Sequence, residues 1–546
     1  MVVLVARLLP MQVIKAVAIA GIAAGLVASW NLLRVGSSSA RPASSAVSYY
    51  VSPGGSDAAA GTSPSTAWRT LGRASGAVLR PGDRLLLQGG HEYSGQIKIG
   101  PGEAGSAARP VVVSSYGGGR ATITSSTDGV VVFDTGGVEI RNLVIKGQHA
   151  MRPADSGIQV FSDLSGRMLN HVVIGRVDVS GYGYGITIGA DHDNAGFRNV
   201  RVSASSLHGN LNAGLASYGP AFNSAAPGYA NADIHVSGVT AFGNHGNPAN
   251  HVTNSGSGIV LSSVRSASVT RSTAYDNGGA GGATREGPIG IWAYDSAGVV
   301  LAHDVSHNNH SAISRDGGGF GLDQNTFNSV LEYNLSYANK GPGFLLYSAP
   351  SEVQRGNVVR FNISNGDGRS HRALGGLAVS GRVRNAAVYQ NTVVMTRAEQ
   401  QCSFKLSGPL RGVKVTNNLF VASRRGPVVL AATAMARRNV TLAGNDYYAP
   451  AGTWKVLWGK ASYHSLRHWR TATRQELVHR RLTGLTLRPV FEGPTSETDG
   501  KAGFVLRPGS ALRHAGLDLP RLFGLRPGPH YYSGRPYRPG RPAIGA

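Results

Sequence analysis

The chain has 546 residues with 75 glycines, 53 Lys or Arg against 29 Asp or Glu, and a formal net charge of +24. The glycines fall between short Val/Ile/Leu runs without a triplet period, which excludes collagen and points to an all-β chain with many tight turns. Cys402 is the only cysteine, so a disulfide framework and a cysteine-based metal site are both excluded.

Residues 1–46 read as an address followed by a linker. Arg7 and Lys15 precede the apolar stretch Ala16 to Trp30, and Ser38, Ser39 and Ala40 then supply the small residues a signal peptidase accepts. The apolar run also has the length of a short membrane anchor, with Gly21 and Gly25 spaced for helix packing. Either reading makes the protein exported, secreted or held at the cell envelope.

A strand at Tyr49 to Val51 is followed by a turn and a short helix over about Ser65 to Ala77, with Ser65 or Thr66 as its cap. Strands follow at Arg84 to Leu87, Gly95 to Ile99 and Pro110 to Val113. The succession Tyr49 to Asp57 (YYVSPGGSD), Gly61 to Leu71 (GTSPSTAWRTL), Arg80 to Gly90 (RPGDRLLLQGG) and Tyr93 to Ile99 (YSGQIKI) resembles the opening of exported right-handed parallel β-helix proteins of the pectate-lyase-like superfamily. That resemblance implies the fold and leaves the activity open.

From Val138 to Tyr448 the chain repeats. Gly157, Gly185, Gly214, Gly258, Gly290, Gly319, Gly343 and Gly376, with Ser403, each open an apolar-x-apolar strand, at a mean spacing of roughly 30 residues that belongs to solenoids. A second strand follows each one and ends on an asparagine-like position: Asp304, Asn334, Asn362, Asn391 and Asn418. Stacked coils set these side chains above one another, where amides bond along the column, so they read as structural. Parallel stacking follows because no unit buries its apolar face alone. The expected architecture is an all-β right-handed parallel β-helix over residues 47–450 with a short N-terminal capping helix. A C-terminal cap over 451–546, with a basic helix at Ser462 to Glu476, closes the last sheet edge.

Chemistry has to come from side chains that point away from the coil. In the glycine-led strands these form two rows. One contains Gln159, Thr187, Ala216, Val260, Trp292, Gly321, Leu345, Ala378 and Lys405; the other contains Tyr218, Tyr294, Asp323 and Tyr347. Coils stack about 4.8 Å apart, so Trp292, Tyr294, Tyr347 and Asp323 fall within one sugar-sized patch, where aromatic faces suit partly apolar sugar rings. The strand is preceded by Arg315, Asp316 and three glycines, which permit close approach to a ligand. Asp316, Asp323, Arg315 and Lys340 are the candidate catalytic residues. Trp292, Tyr294, Tyr347, Tyr218 and Lys405 are the candidate substrate contacts, and Asp295 with Asp323 the candidate ligands for calcium, a cation that prefers oxygen donors. The alternative is that Asp316 forms an Asx-turn and Asp323 caps the strand end. Asp367 and Arg369 occupy a glycine turn that could overhang the groove. Asp191, His192 and Asp193 read as a turn, and His303, His307 and His310 as polar loop residues.

Two mechanisms fit these residue types. β-Elimination of an acidic polysaccharide needs a cation to neutralise the uronate and a base, for which Lys340, Arg315 and calcium serve. Hydrolysis needs two carboxyl groups, for which Asp316 and Asp323 serve. The basic surface favours a polyanion, and with basic residues scattered and no nucleic-acid-binding motif, no nucleic acid partner is expected. A monomeric polysaccharide-active enzyme is the first reading, a non-catalytic glycan-binding or adhesion protein the second.

Overall fold

The computed structural model describes residues 46–148, 152–284, 286–314, 316–370, 375–395, 401–493 and 501–546. The address segment up to residue 45 and the candidate Arg315 lie outside them. Contacts divide the chain into two units, Met1–Leu211 with Leu215–Ile234 and Ser262–Val264, and Asn212–Gly214 with His235–Leu261 and Arg265–Ala546.

Each unit is a stack of parallel coils with three strands per turn, belonging to a groove sheet, a middle sheet (strands such as Val330–Glu332 and Val358–Arg360) and a return sheet (such as Leu335–Tyr337, Ile363–Asn365 and Leu419–Val421). In the first unit the groove strands Ile97–Ile99, Val130–Phe133, Ser156–Ser162 and Tyr184–Ala190 pair in succession, all parallel. Its N-terminal cap differs in detail from the expected helix over Ser65 to Ala77. A 3-10 turn at Pro64–Thr66 is capped by Ser63, and an α-helix at Leu71–Ser75 is capped by Thr70. Trp68 is buried, stacks on Tyr49 at 4.9 Å and carries the Arg73 guanidinium 4.3 Å above its ring. Pro64 fixes the first turn, and Ala67, extended at ψ 148°, breaks the continuation.

In the second unit the groove strands are Ile289–Tyr294, Gly318–Leu322, Phe344–Ser348, Leu377–Gly381, Phe404–Ser407, Val429–Ala431 and Val456–Trp458, each parallel to the next. Inward residues stack by kind: Phe320 lies on Phe344 at 5.3 Å with planes 6° apart, and Phe404 on Phe420 at 4.9 Å. The repeated glycine has a steric cause. A Cβ at Gly319 would sit 2.2 Å from Ser336 Oγ, and one at Gly343 2.4 Å from Ser364 Oγ, because each groove strand starts hard against the return strand of a neighbouring turn.

The asparagine column forms as expected. The Asp304 N–H donates to Asn334 Oδ1 at 2.9 Å, Asn334 N–H to Asn362 Oδ1 at 3.0 Å, Asn362 N–H to Asn391 Oδ1 at 3.1 Å, and Asn391 N–H to Asn418 Oδ1 at 3.0 Å. Each amide also donates to a carbonyl of the preceding coil, as Asn362 Nδ2 does to Leu331 O at 2.9 Å. The column runs on through Asn445 to the buried Glu476, whose Oε1 accepts from Asn445 Nδ2 at 2.8 Å and Tyr447 Oη at 2.7 Å.

A second column, not anticipated from the sequence, passes through Asn244, Asn277, Asn309, Asn339 and Asp367 at 2.8 to 2.9 Å. It corrects the expectation that Asp367 overhangs the groove. Asp367 is 2% exposed and accepts from Asn339 and Ser364, and burial pushes its carboxyl up to about 6. His303 is an exposed corner residue at φ 61°, as expected, whereas His307 ends the strand Val305–His307 and is not a loop residue. His303 stacks on Tyr333 at 5.0 Å, and His307 lies between Tyr275 and Tyr337 at 5.1 and 4.5 Å.

The C-terminal helix is shorter than expected, Leu466–Thr473 capped by Ser465. Its Trp469 is fully buried and meets Tyr447 and Trp458 edge-on at 5.4 and 5.7 Å, sealing the last coil. The remaining tail packs on the outer faces of the middle and return sheets: Phe504 joins Leu335, Ile363 and Val394, Leu519 joins Phe361 and Tyr389, and Leu512 with Ile544 joins Leu419. Among the described residues no helix is long and apolar enough to cross a membrane.

Candidate functional site

Register on the groove sheet follows the expected rows. Trp292 pairs with Gly321, Gly321 with Leu345, Leu345 with Ala378 and Ala378 with Lys405, while Tyr347, Ser380 and Ser407 align in the second row. Pointing away from the coil is not the same as meeting water, however. Trp292 is 2% exposed, and Leu345 and Ala378 are buried with it. The Trp292 Nε1 donates to the buried Ser257 Oγ at 3.1 Å and the ring stacks on Tyr294 at 5.0 Å. Trp292 is therefore packed into the wall, which corrects its reading as an open sugar platform. Tyr294, Asp323, Tyr347, Ser380 and Lys405 remain half-buried, so the second row and Lys405 form the accessible strip.

Tyr218 is corrected in the same way. In the first unit it is 5% exposed, clusters with Val131, Phe133 and Phe161, and has its hydroxyl pKa raised by burial.

Asp316 and Asp323 stand just outside the two ends of the strand Gly318–Leu322. The Asp323 N–H donates to Ala293 O at 2.8 Å, keeping the strand's register, and Asp323 Oδ1 accepts from the Gln324 N–H at 2.7 Å. Asp316 follows a knot of two buried serines. Ser311 Oγ and Ser314 Oγ are 2.6 Å apart, the Ser314 N–H donates to Ser311 Oγ at 3.1 Å, and the Asp316 N–H to Ser314 Oγ at 3.3 Å. Gly317, at φ +87°, then turns the chain into the strand, where only glycine is unstrained. The serines were not singled out in the sequence; their signal is a Ser-x-x-Ser spacing just before an acid, the local side-chain-to-backbone bonding that shapes turns.

Lys340 is tied to the same loop, its Nζ donating to Ser311 O at 2.6 Å. Asp295 sits in the corner after Ile289–Tyr294 at φ 45°. The Asn325 amide donates at 2.8 Å both to Asp295 Oδ1 and to Glu352 Oε2, so one side chain links acids on the coils either side of its own. Glu352 and Asn325 were missed in the sequence because neither belongs to a repeated motif. Among the described residues no group of three His, Cys, Asp or Glu side chains converges as a metal site would require. Asp295 and Asp323 belong to no such group, and no chemical step is assigned to a metal.

Coil stacking, turn columns and capped ends define a parallel β-helix with an acid-flanked strip on one sheet. Residues 229–393 match the family described as right handed beta helix region, and the chain is a right-handed parallel β-helix protein. It is 36% identical over 113 residues to a lacto-N-biosidase of Bifidobacterium longum subsp. longum, a stretch that is 19% of this chain and spans 7% of that protein. Among solved structures it is similar to a GH136 lacto-N-biosidase from Eubacterium ramulus, with 16% identity, 75% of this chain and 68% of that one covered, and a TM-score of 0.47. It is also similar to a pectate lyase, with 15% identity, 92% and 96% covered, and a TM-score of 0.39.

Proposed function

We propose that this protein is an exported glycan-active enzyme that hydrolyses a glycosidic bond on its groove sheet, with Asp323 and Asp295, one coil earlier, as the two carboxyl groups. The observation that carries this reading is two half-buried acids at the same end of adjacent groove strands, where the Asp323 N–H donates to Ala293 O at 2.8 Å and the Asp295 N–H to Gln324 O at 2.9 Å, beside Tyr294 and Tyr347. Coils stack about 4.8 Å apart, within the separation that paired glycosidase carboxyls use. Asp316, beyond the other end of the strand Gly318–Leu322, is more than about 13 Å away and is left as a contact for the bound glycan. A hydrogen bond to a carboxylate favours its charged form. The Gln324 N–H on Asp323 Oδ1 therefore suits Asp323 to nucleophile or base, which leaves Asp295 on the neighbouring coil to protonate the departing oxygen. The stretch similar to a protein named lacto-N-biosidase supports glycoside chemistry.

Elimination has less support. The Lys340 ammonium is committed to a backbone carbonyl, and a base for elimination must be free to take a proton. The half-buried acids along the groove sheet, Asp295, Asp316 and Asp323, also favour a neutral sugar at the point of cleavage over a uronate.

The test is to incubate the chain with neutral oligosaccharides and polyuronates, reading new reducing ends and unsaturated products together. The reading expects reducing ends without unsaturation. Unsaturated products would replace it with a lyase, and retention of glycans with no cleavage of any of them with a binding or adhesion module.

A further inference from the structure

The tail that covers the middle and return sheets holds a cleft of about 330 Å³ lined by Arg513, His514, Arg535, Arg538, Arg541 and Tyr531. Its walls are fixed. Leu512 and Ile544, each 1% exposed, root two of them in the coil beside Leu419. The third is a hairpin in which the Tyr531 N–H donates to Arg535 O at 2.8 Å and the Tyr537 N–H to Pro529 O at 2.8 Å. The Ala543 N–H donates to Tyr531 Oη at 2.8 Å, tying the hairpin to the last stretch of the chain.

Among the described residues, Arg535 alone of the four guanidinium groups pairs with an acid, Glu492 at 2.7 Å. Arg513, Arg538 and Arg541 form no ion pair with a described acid. Like charges brought together in a concavity repel and gain nothing from packing when half or fully exposed, as these are. Arginine forks present paired donors that match carboxylate, sulfate or phosphate oxygens two at a time. An oxyanion resolves the repulsion, and a flexible polymer carrying many of them meets several arginines at once.

We propose that this cleft binds the oxyanion groups of an anionic polysaccharide and so tethers the protein to a charged matrix through sheets other than the groove sheet. The basic character of the chain then serves anchoring, and cleavage stays on the acidic strip. The proposal does not depend on what the groove does, because binding is read without turnover.

The experiment measures binding of the whole chain to polygalacturonate, dextran sulfate, neutral dextran and duplex DNA at near-physiological salt. A triple variant, Arg513→Ser with Arg538→Ser and Arg541→Ser, is compared with a charge-matched control, Arg467→Ser with Arg480→Ser and Arg481→Ser. Melting curves check that both fold, and Arg541→Ser alone, at an exposed position, serves if the triple variant does not. The expected result is binding of at least one anionic polysaccharide and not of neutral dextran, weakened about tenfold or more in the cleft variant as charge-assisted contacts are lost and unchanged in the control. Which polymer binds tells carboxylate from sulfate. Equal loss in both variants reduces the effect to overall charge and overturns the proposal. So does DNA bound as tightly as either polysaccharide and lost in the cleft variant, which would make the partner a nucleic acid. Absence of binding to every polyanion overturns it as well.

Discussion

Two sets of aspartates in the second unit look alike in sequence and differ in everything else. Asp304 and Asp367 point into coil corners, are 1% and 2% exposed, and take backbone N–H groups of neighbouring coils; burial raises both carboxyls, Asp367 to about 6. Asp316 and Asp323 stand outside the coil at the ends of one groove strand and are half-buried. In a β-helix an acid inside the corner serves the column as an asparagine would, and an acid outside it is left for chemistry. The difference lies in the direction of the side chain at the turn, which neither glycine content nor local charge reveals.

The largest expected effect lies on the outer set. Asp323→Asn should lower turnover about 100-fold or more, the scale of one general acid or base, and Asp316→Asn should raise KM more than it lowers turnover, with melting temperature little changed in either. Full activity in both would dissolve the contrast. Next comes the wall between the sets. Trp292→Ala should cost about 3–5 kcal/mol in denaturant unfolding, as truncating a buried aromatic does. A raised KM with unchanged stability would instead mean that glycans reach that ring.

On the inner set, Asn362→Leu should cost about 1–3 kcal/mol by leaving the Asn334 N–H and the Leu331 carbonyl without partners, while turnover per folded molecule holds. The smallest effect is a slope. With the Asp367 carboxyl raised to about 6, the unfolded chain releases this proton near pH 4 and the folded chain keeps it. Its contribution is complete below about pH 4 and is lost as pH rises towards 6, by at most about 1.4 kcal/mol per pH unit. Asp367→Asn should flatten that part of the stability curve; an unchanged curve would take Asp367 out of the titrating set.

Much of the architecture was legible because its causes repeat. A glycine recurs wherever a groove strand starts against a return strand, and an asparagine wherever one turn must satisfy the next. Asn244, Asn277, Asn309 and Asn339 recur at 30 to 33 residues and carried the same signal for the second column. Loop lengths vary around them, which takes this column out of step with the strand repeat. What periodicity cannot show is what lies over an outward side chain, so Trp292 and Tyr218 looked open and are packed. Nor can it show partners from outside the repeat, such as Glu476 ending the asparagine column.

The most direct test of the groove account uses cleavage in heavy-oxygen water of whichever glycan the chain degrades. Hydrolysis by Asp323 and Asp295 predicts one labelled oxygen at each new reducing end, taken up about 100-fold more slowly in Asp323→Asn. A double bond in the product without incorporated label, or undiminished labelling in Asp323→Asn, would contradict it.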